Sequence, residues 1–295
     1  MKIERPVQIL VRRRAALGDV IMSTGIVREL KKKYNCEIDV ATEFPNVYAN
    51  NPHVRAIYHT EVAPDIKNYD IYINLDDAYE HNPLNHYVDS YFYRAFGTSD
   101  VDNKSVELFH NDFDIDTVNA FCQDNELDRF IVVHIRQWHW ALKNMAWETW
   151  FAVFERLFTK HTDFKIVCVG SNTDGFVEHP LFVDARDRLN IQQQKLLMDH
   201  AICFVGIDSG PFHVAAASRT HIIALQTHLR PERILPYRRE MFGYNTTAIM
   251  SNVECAGCND NQARPVRQVV CKHGDYRCKD SFDAERIANN ILEIL

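Results

Sequence analysis

This 295-residue sequence lacks long apolar runs, and none of its runs approaches the roughly 20 residues needed to cross a bilayer. Residues 1–6 also lack the apolar core of a signal peptide, so we expect a cytoplasmic protein, with peripheral membrane contact left open. An excess of positive charge is also lacking, because 40 Asp and Glu residues outnumber 33 Lys and Arg residues and give a formal net charge of −7. That balance argues against a nucleic-acid partner.

Two kinds of sequence pattern are also missing. Short-period repeats and low-complexity tracts are absent, and with 46% hydrophobic and 25% charged residues we expect no wholesale disorder. No G-x-G-x-x-G motif follows the first strand of either half, which disfavours a dinucleotide-dependent oxidoreductase. No pattern indicates the oligomeric state, which stays unknown at this point.

The sequence does contain alternating strand and helix patterns and is 46% hydrophobic, enough for a sizeable packed core. Buried-strand patterns followed by helical patterns predict an α/β fold with parallel sheets covered by helices. Two such series occur along the chain, which predicts two Rossmann-like halves facing a central cleft. We expect the first domain at residues 1–112 and the second, which holds a cysteine cluster and a last helix, at 113–295.

The first predicted helix follows the strand pattern at residues 7–11 and runs to about Lys33. Its apolar positions recur at helical spacing on one face. These positions are Val20, Val27, Leu30 and Tyr34.

A second strand–turn–helix pattern lies at residues 205–213, with the sequence VGIDSGPFH. Ser209 or Gly210 can cap the helix, and Pro211 suits its first turn because proline has no N–H that would need a partner. The free N–H groups of such a helix start attract phosphate. Asp208 stands beside it, and sugar hydroxyls are a sensible target for its carboxylate. The alternative is an ordinary strand–turn–helix in which Asp208 is only a cap.

Three stretches together resemble glycosyltransferase family 9, the heptosyltransferase-like family. They are ALGDV at 16–20, HIR at 134–136 followed by Lys143 and WETW at 147–150, and VGIDSGPFH at 205–213. The stretches occur in the family's order and span most of the chain. The resemblance implies a GT-B fold, inverting sugar transfer and a nucleotide-sugar donor, with ADP-heptose as one candidate. It also implies a glycan, lipid-linked or protein acceptor, although the chain is short for the family.

The resemblance implies a role for each matching residue. Asp19 matches the family's catalytic base, and its alternative role is a cap on the helix that starts there. Lys143 matches a lysine that contacts donor phosphate, and Arg136 is a candidate for a further phosphate contact; both have a surface role as the alternative. Together with N–H groups at Ser209 and Gly210, these cations can replace a magnesium ion, so we expect no cofactor for catalysis.

The remaining donor-site expectations are less specific. His213 follows one turn into the helix and matches a family donor-site residue, with a packed histidine as the alternative. Asp174 or Glu178 is a candidate for holding a ribose diol. Trp138 and Trp140 lie in the loop before the matching lysine and are candidates for ligand contact. Two further tryptophans at helical spacing, Trp147 and Trp150, are expected in the core.

A cysteine cluster near the end of the chain has the spacing C-x₂-C-x₁₂-C-x₆-C. Its members are Cys255, Cys258, Cys271 and Cys278. In a cytoplasmic chain this spacing favours a four-thiolate metal site over disulfides, with zinc as the default and iron as the rival. His273 is an alternative ligand, and four free or paired cysteines are the alternative to a metal site. Similar cysteine sets occur in relatives of the family that this chain resembles, one of them iron-binding. A metal here is expected to be structural.

Two other function classes share this architecture. A nucleotide-sugar 2-epimerase would convert the donor in the absence of an acceptor. A non-catalytic nucleotide-sugar-binding module would bind the donor without turnover, and substitution of Asp19 by alanine would then change only stability.

Overall fold

The computed structural model describes residues 5–81, 86–137, 139–238, 246–259 and 270–295. Within these ranges the chain forms two parallel β-sheets with helices packed on them, so the predicted α/β class is confirmed. Each half of the chain supplies one sheet. No helix in these ranges is both long and apolar enough to cross a membrane.

The first sheet has the strand order β3-β2-β1-β4, and all its pairs are parallel. Together with three helices it forms what we call the first lobe. Its elements in chain order are β1 (Val7–Arg12), α1 (Leu17–Met22), α2 (Thr24–Lys33), β2 (Cys36–Thr42), β3 (Ala56–His59), β4 (Ile71–Asn74) and α3 (Tyr87–Phe96).

The second sheet has the strand order β10-β9-β8-β5-β6-β7, again with parallel pairs. It forms the second lobe with its helices. In chain order the elements are α4 (Asp112–Asp124), β5 (Phe130–His134), α5 (Trp147–Lys160), β6 (Lys165–Cys168), β7 (Phe182–Asp184), α6 (Ile191–His200), β8 (Cys203–Ile207), α7 (Gly210–Ala216), β9 (His221–Gln226), α8 (Pro231–Ile234), β10 (Thr246–Met250) and α9 (Ala284–Leu292).

The prediction of one continuous helix up to about Lys33 is wrong. The chain forms two helices there, α1 and α2, which are separated at Ser23. The Ser23 hydroxyl donates to the carbonyl of Val20 at 2.7 Å, and the Thr24 hydroxyl donates to the carbonyl of Ile21 at 2.8 Å. Such side-chain bonds to the preceding turn compete with the helical ladder and bend it. Tyr34 is also placed wrongly, since it is exposed beyond the end of α2.

The apolar core explains how the two lobes are held together. One buried cluster runs without interruption from helix α1 through the interface to α6 and α7. A second cluster fills the space between the outer face of the second sheet and helices α5 and α9. Because the first cluster belongs to both lobes, the division at residue 112 stays a prediction.

Candidate functional site

A cleft of about 460 Å³ lies between the two lobes, where β1 and β8 end and helices α1 and α7 begin. In a parallel sheet the carboxyl ends of the strands are the usual ligand edge. All the predicted catalytic and donor-binding residues line this cleft. They are Asp19, Arg136, Lys143, Asp208, Ser209, Gly210 and His213. A larger cavity of about 670 Å³ lies beside residues 101–105 and 231–238, and none of these seven residues lines it.

Helices α1 and α7 touch each other at two glycines on the floor of this cleft. A Cβ atom on Gly18 would lie 2.3 Å from Cδ2 of His213. A Cβ atom on Gly210 would lie 2.7 Å from Cδ2 of Leu17. Real carbon atoms do not approach so closely, so a side chain at position 18 would displace the ring of His213, whereas one at position 210 would displace only the end of the flexible Leu17 side chain. The contact brings Asp19, the neighbour of Gly18, to the second lobe.

Asp19 is held on the first-lobe wall by three donors. Its Oδ2 atom lies 3.1 Å from Nη2 of Arg13 and accepts the backbone N–H of Ala16 at 3.1 Å. Its Oδ1 atom accepts the phenol hydroxyl of Tyr91 at 2.9 Å. The bond from Ala16 means that Asp19 does cap helix α1, as one of its two interpretations predicted. The cap leaves the carboxylate at the cleft, so it does not exclude the other interpretation.

Arg13 is the buried cation behind Asp19, and the sequence analysis did not single it out. Its side chain is only 5% exposed, with the guanidinium beside the rings of Tyr79 and Tyr91. Its Nη1 atom donates to the carbonyl of Leu75 at 3.2 Å. Burial would lower the pKa of Arg13, but the interactions with Tyr91 and Asp19 outweigh it and raise that pKa. Arg13 therefore stays charged.

A second carboxylate, Glu80, lies beside the same guanidinium. Its Oε1 atom is 3.9 Å from Nη2 of Arg13, and its side chain is 9% exposed. Its Oε2 atom is buried, with no hydrogen-bond partner in the described part of the chain. Burial raises the pKa of Glu80 to about 7, although Arg13 opposes the shift. Glu80 thus changes its charge close to neutral pH.

Asp208 is the central carboxylate of the second-lobe wall. Its Oδ2 atom pairs with Nζ of Lys143 at 2.6 Å, and its Oδ1 atom lies 3.2 Å from Nε2 of His213. Burial alone would raise the pKa of Asp208, but Lys143 and His213 hold it well below its usual range. Arg136 donates to the backbone carbonyl of Asp208 at 3.0 Å. Both side-chain oxygens are engaged, so Asp208 orients Lys143 and His213 in this arrangement.

Ser209, His134 and Asp174 form a series of buried side-chain hydrogen bonds. Nδ1 of His134 lies 2.9 Å from the Ser209 hydroxyl, and its Nε2 lies 3.1 Å from Oδ2 of Asp174. Burial lowers the pKa of His134, so the ring is neutral and donates from Nε2 to Asp174. Nδ1 then accepts the hydroxyl proton of Ser209. Asp174 lines the cleft and Glu178 does not, which favours Asp174 of the two ribose candidates.

The predictions for the four tryptophans have different outcomes. Trp150 is buried in the core and Trp147 packs against that core, as expected. The ring of Trp140 packs on His228, and its centroid lies 5.2 Å from Nζ of Lys143, so Trp140 supports the lysine. Trp140 is not among the residues that line the cleft. Trp138 lies outside the described residues.

Two aromatic residues at the cleft were missed by the sequence analysis. Tyr79 and Tyr87 line it with their rings stacked 3.8 Å apart. They lie on either side of residues 82–85, which the structure does not describe. No local spacing in the sequence signals that stacking.

The cysteine cluster comes together only in part. Burial and the nearby Cys258, Cys271 and Cys255 raise the pKa of Cys278 to about 11, so the four thiols lie within electrostatic range of one another. Burial would raise the pKa of Cys271, but backbone N–H groups of residues 273–276 lower it. Four thiols are a donor set that suits zinc or iron. In the described residues, however, no three His, Cys, Asp or Glu side chains are arranged to hold a metal ion.

Comparisons with known proteins agree with this architecture. Autotransporter heptosyltransferase Aah of Escherichia coli is 23% identical over 271 residues, which cover 83% of this chain and 61% of that protein. This chain is therefore well short of that relative's full length. A glycosyl transferase family 9 structure from Veillonella parvula DSM 2008 matches with a TM-score of 0.73 and 18% identity, covering 99% of this chain and 98% of that one.

A second solved structure adds a ligand to the comparison. The dodecameric iron-containing heptosyltransferase TibC of Escherichia coli, in complex with ADP-D-beta-D-heptose, matches with a TM-score of 0.71 and 14% identity. The match covers 100% of this chain and 77% of TibC. The expected GT-B architecture is confirmed by these similar folds. The family model described as glycosyltransferase family 9 (heptosyltransferase) matches residues 69–265, and the chain belongs to that family.

Proposed function

We propose that the protein transfers a sugar from a nucleotide-sugar donor to a hydroxyl group with inversion at the anomeric carbon, and that Asp19 is the base. The observation that carries this proposal is one cleft in which Asp19 and Lys143 lie on opposite walls. The acceptor is a glycan, a lipid-linked sugar or a protein. A heptose from ADP-heptose is the favoured donor sugar, because the similar TibC structure holds ADP-D-beta-D-heptose.

The proposed reaction is a single displacement. The acceptor oxygen forms a bond to the anomeric carbon while Asp19 takes its proton, and the bond from that carbon to the phosphate oxygen breaks. The electron pair leaves with the nucleoside diphosphate. A positioned base contributes roughly 10²–10⁴-fold to such a step. The contacts from Arg13, Tyr91 and Ala16 support this role, since they fix the carboxylate in one orientation.

The leaving diphosphate gains negative charge, which the second-lobe wall is suited to stabilise. Lys143 has three N–H donors and uses one on Asp208, so two are left for phosphate oxygens. Arg136 lines the same wall, and Ser209 and Gly210 add polar contacts there. A preorganised donor to developing charge is typically worth ~10²–10³-fold in rate. We therefore propose that the transfer proceeds without a divalent cation.

We also propose a structural metal at the cysteine cluster, held by Cys255, Cys258, Cys271 and Cys278, with zinc or iron as the ion. The proposal rests on the four-thiol donor set and on the N–H groups that favour a thiolate at Cys271. Elemental analysis should find about one transition metal per chain. A metal-free protein with four titratable thiols in this region would contradict it.

Asp19→Asn tests the proposed base. The amide keeps the size of the side chain but cannot take a proton, so turnover of ADP-heptose should fall by at least about 10²-fold while its affinity stays similar. Isothermal titration gives the affinity, and ADP release gives the rate. Asp70→Asn is a matched control in the same lobe, because Asp70 pairs with Arg5 and does not line the cleft. Near-normal turnover in Asp19→Asn would remove Asp19 as the base.

The requirement for a metal is tested separately. Brief treatment with EDTA should leave turnover intact if the transfer needs no divalent cation. An immediate loss that magnesium restores would contradict the cation-free mechanism.

A further inference from the structure

The guanidinium group of Arg13 lies near three carboxylates: Asp76 is 4.0 Å from Nη1, and Asp19 and Glu80 share Nη2. The same atom, Nη2, lies 3.1 Å from Asp19 and 3.9 Å from Glu80. Asp19 and Glu80 are separated by 61 positions in the sequence but share a cation that is almost fully buried. A positive charge shared in this way couples the charges of its partners.

Glu80 has little else to stabilise its negative charge. Its Oε2 atom is buried without a hydrogen-bond partner in the described chain, although its own backbone N–H favours the ionised form. The charged and titratable groups that face it are Arg13, Asp19, Asp77, Tyr79, Tyr87 and Tyr91, and Asp76 lies beside the same Arg13. Arg13 is the only cation in this set, and Asp19 and Asp77 oppose ionisation of Glu80.

Electrostatic coupling between two sites is reciprocal. The charge of Asp19 makes Glu80 harder to ionise, and the same interaction energy acts on Asp19 when Glu80 is ionised. When Glu80 is neutral, the charge of Arg13 is shared by Asp19 and Asp76 only. When Glu80 is ionised, part of the charge of Arg13 is balanced and Asp19 becomes a stronger base.

We propose that Glu80 is a positioning residue that sets the strength of Asp19 as the base through their shared Arg13. This inference rests on the proposed function, because it needs Asp19 to take the acceptor proton. Glu80 does not line the cleft, so it touches neither donor nor acceptor. Its effect on the rate should appear as an ionisation close to pH 7, with turnover rising as Glu80 loses its proton.

The first experiment measures the coupling without any substrate. In protein labelled with ¹³C at the glutamate carboxyl carbons, the Glu80 signal is assigned by its loss in Glu80→Gln and titrated from pH 5 to 9. Its midpoint should lie close to 7 in the wild type and fall by about half a pH unit or more in Asp19→Asn, where the opposing charge is gone. An ordinary midpoint in the wild type, or the same midpoint in both proteins, would overturn the proposal.

The second experiment measures turnover of ADP-heptose, as ADP release, between pH 6 and 8.5. Glu80→Gln should lose the rise near pH 7 and run about threefold to tenfold below the wild type at pH 8, with similar rates at pH 6. Glu80→Asp, which keeps an ionisable group, should recover a rise with pH. Glu61→Gln is the matched control, because Glu61 is exposed in the same lobe and is not among the groups that act on Glu80.

The outcomes separate this inference from the function on which it rests. Normal turnover in Asp19→Asn would remove the proposed base and the role of Glu80 with it. Loss of turnover in Asp19→Asn, together with an unchanged pH rise in Glu80→Gln, would leave the base in place and overturn the role of Glu80 alone. A loss in Glu80→Gln that is equal at every pH would assign Glu80 a purely structural role and would also overturn the proposal.

Discussion

Each wall of the cleft has a buried carboxylate, and the pKa values of the two carboxylates are shifted in opposite directions. On the second-lobe wall, Asp208 has Lys143 on one oxygen and His213 on the other, and its pKa is held well below the usual range. On the first-lobe wall, Glu80 has a shared guanidinium at 3.9 Å and an oxygen without a partner, and its pKa is raised to about 7. Both side chains are more than nine-tenths buried.

Burial opposes ionisation at both sites, and the difference lies in whether the cationic and hydrogen-bonding partners together outweigh it, as they do at Asp208 and not at Glu80. The second-lobe wall keeps a fixed set of charges, which suits the binding of a diphosphate of constant charge. The first-lobe wall changes its charge near neutral pH, which suits a group that must accept a proton. Three substitutions test this contrast.

Lys143→Met should have the largest effect, since it leaves the charge of Asp208 buried with only His213 beside it. Breaking one partner of a buried pair costs about 3–5 kcal/mol, and we expect the free energy of unfolding to fall by that order. Turnover of ADP-heptose should drop by ~10²–10³-fold with the lost phosphate contact. Chemical denaturation and ADP release measure the two effects.

Matched variants sharpen that test. Lys32→Met breaks the pair of the exposed Lys32 with Glu29 on helix α2, outside the cleft, and should lose no more than about 1 kcal/mol with normal turnover. Lys143→Met/Asp208→Asn should recover stability but not turnover, because the buried charge is gone and the phosphate contact is still missing. Equal stability losses in Lys143→Met and Lys32→Met would show that Asp208 does not depend on Lys143 for its stabilisation.

Glu80→Gln should change how stability depends on pH. The pKa of Glu80 is about 7 in the folded chain and 4.5 is its ordinary value, so the folded state binds more protons between these pH values. Wild-type stability should therefore fall by up to about 3 kcal/mol as pH rises from 4.5 to 7 and then level off. The variant should lack this component of the fall. Thermal or urea unfolding at pH 5 and 8 measures the difference, and parallel pH dependence in the two proteins would refute it.

Gly18→Ala should have the smallest effect, because it forces the two walls apart without removing a charge. Its methyl group would meet the ring of His213, and overpacking of this kind typically costs about 1–3 kcal/mol. The affinity for ADP-heptose should also weaken as the cleft widens. Gly18→Ala/His213→Ala should regain part of the stability, since the ring is removed. Additive losses in the double variant would show that the clash is not the cause.

Local patterns in the sequence were enough to predict the parallel α/β architecture. Buried strands such as β8, with the turn at Ser209 and Gly210 behind it, follow from apolar runs and capping residues. The break at Ser23 was missed, because it depends on hydroxyl groups that bond to the preceding turn. The spacing of apolar residues does not show whether side-chain hydroxyl groups compete with the backbone hydrogen bonds of a helix.

The charge relations of the site could not be predicted in the same way. Arg13 stands in a run of three arginines that resembles a local basic surface, yet only Arg13 is buried among aromatic rings. Its partner Glu80 lies 67 positions away, and no spacing rule joins them. The pairing of Asp208 with Lys143 likewise depends on how two βα loops of the second sheet meet, which is a property of the folded chain.

The most direct test of the account is a crystal structure of the protein with intact ADP-heptose. The diphosphate should lie within hydrogen-bond distance of Nζ of Lys143, and the carboxylate of Asp19 should stand on the opposite side of the anomeric carbon. A donor bound outside this cleft, for example in the cavity beside residues 231–238, would contradict the proposed mechanism.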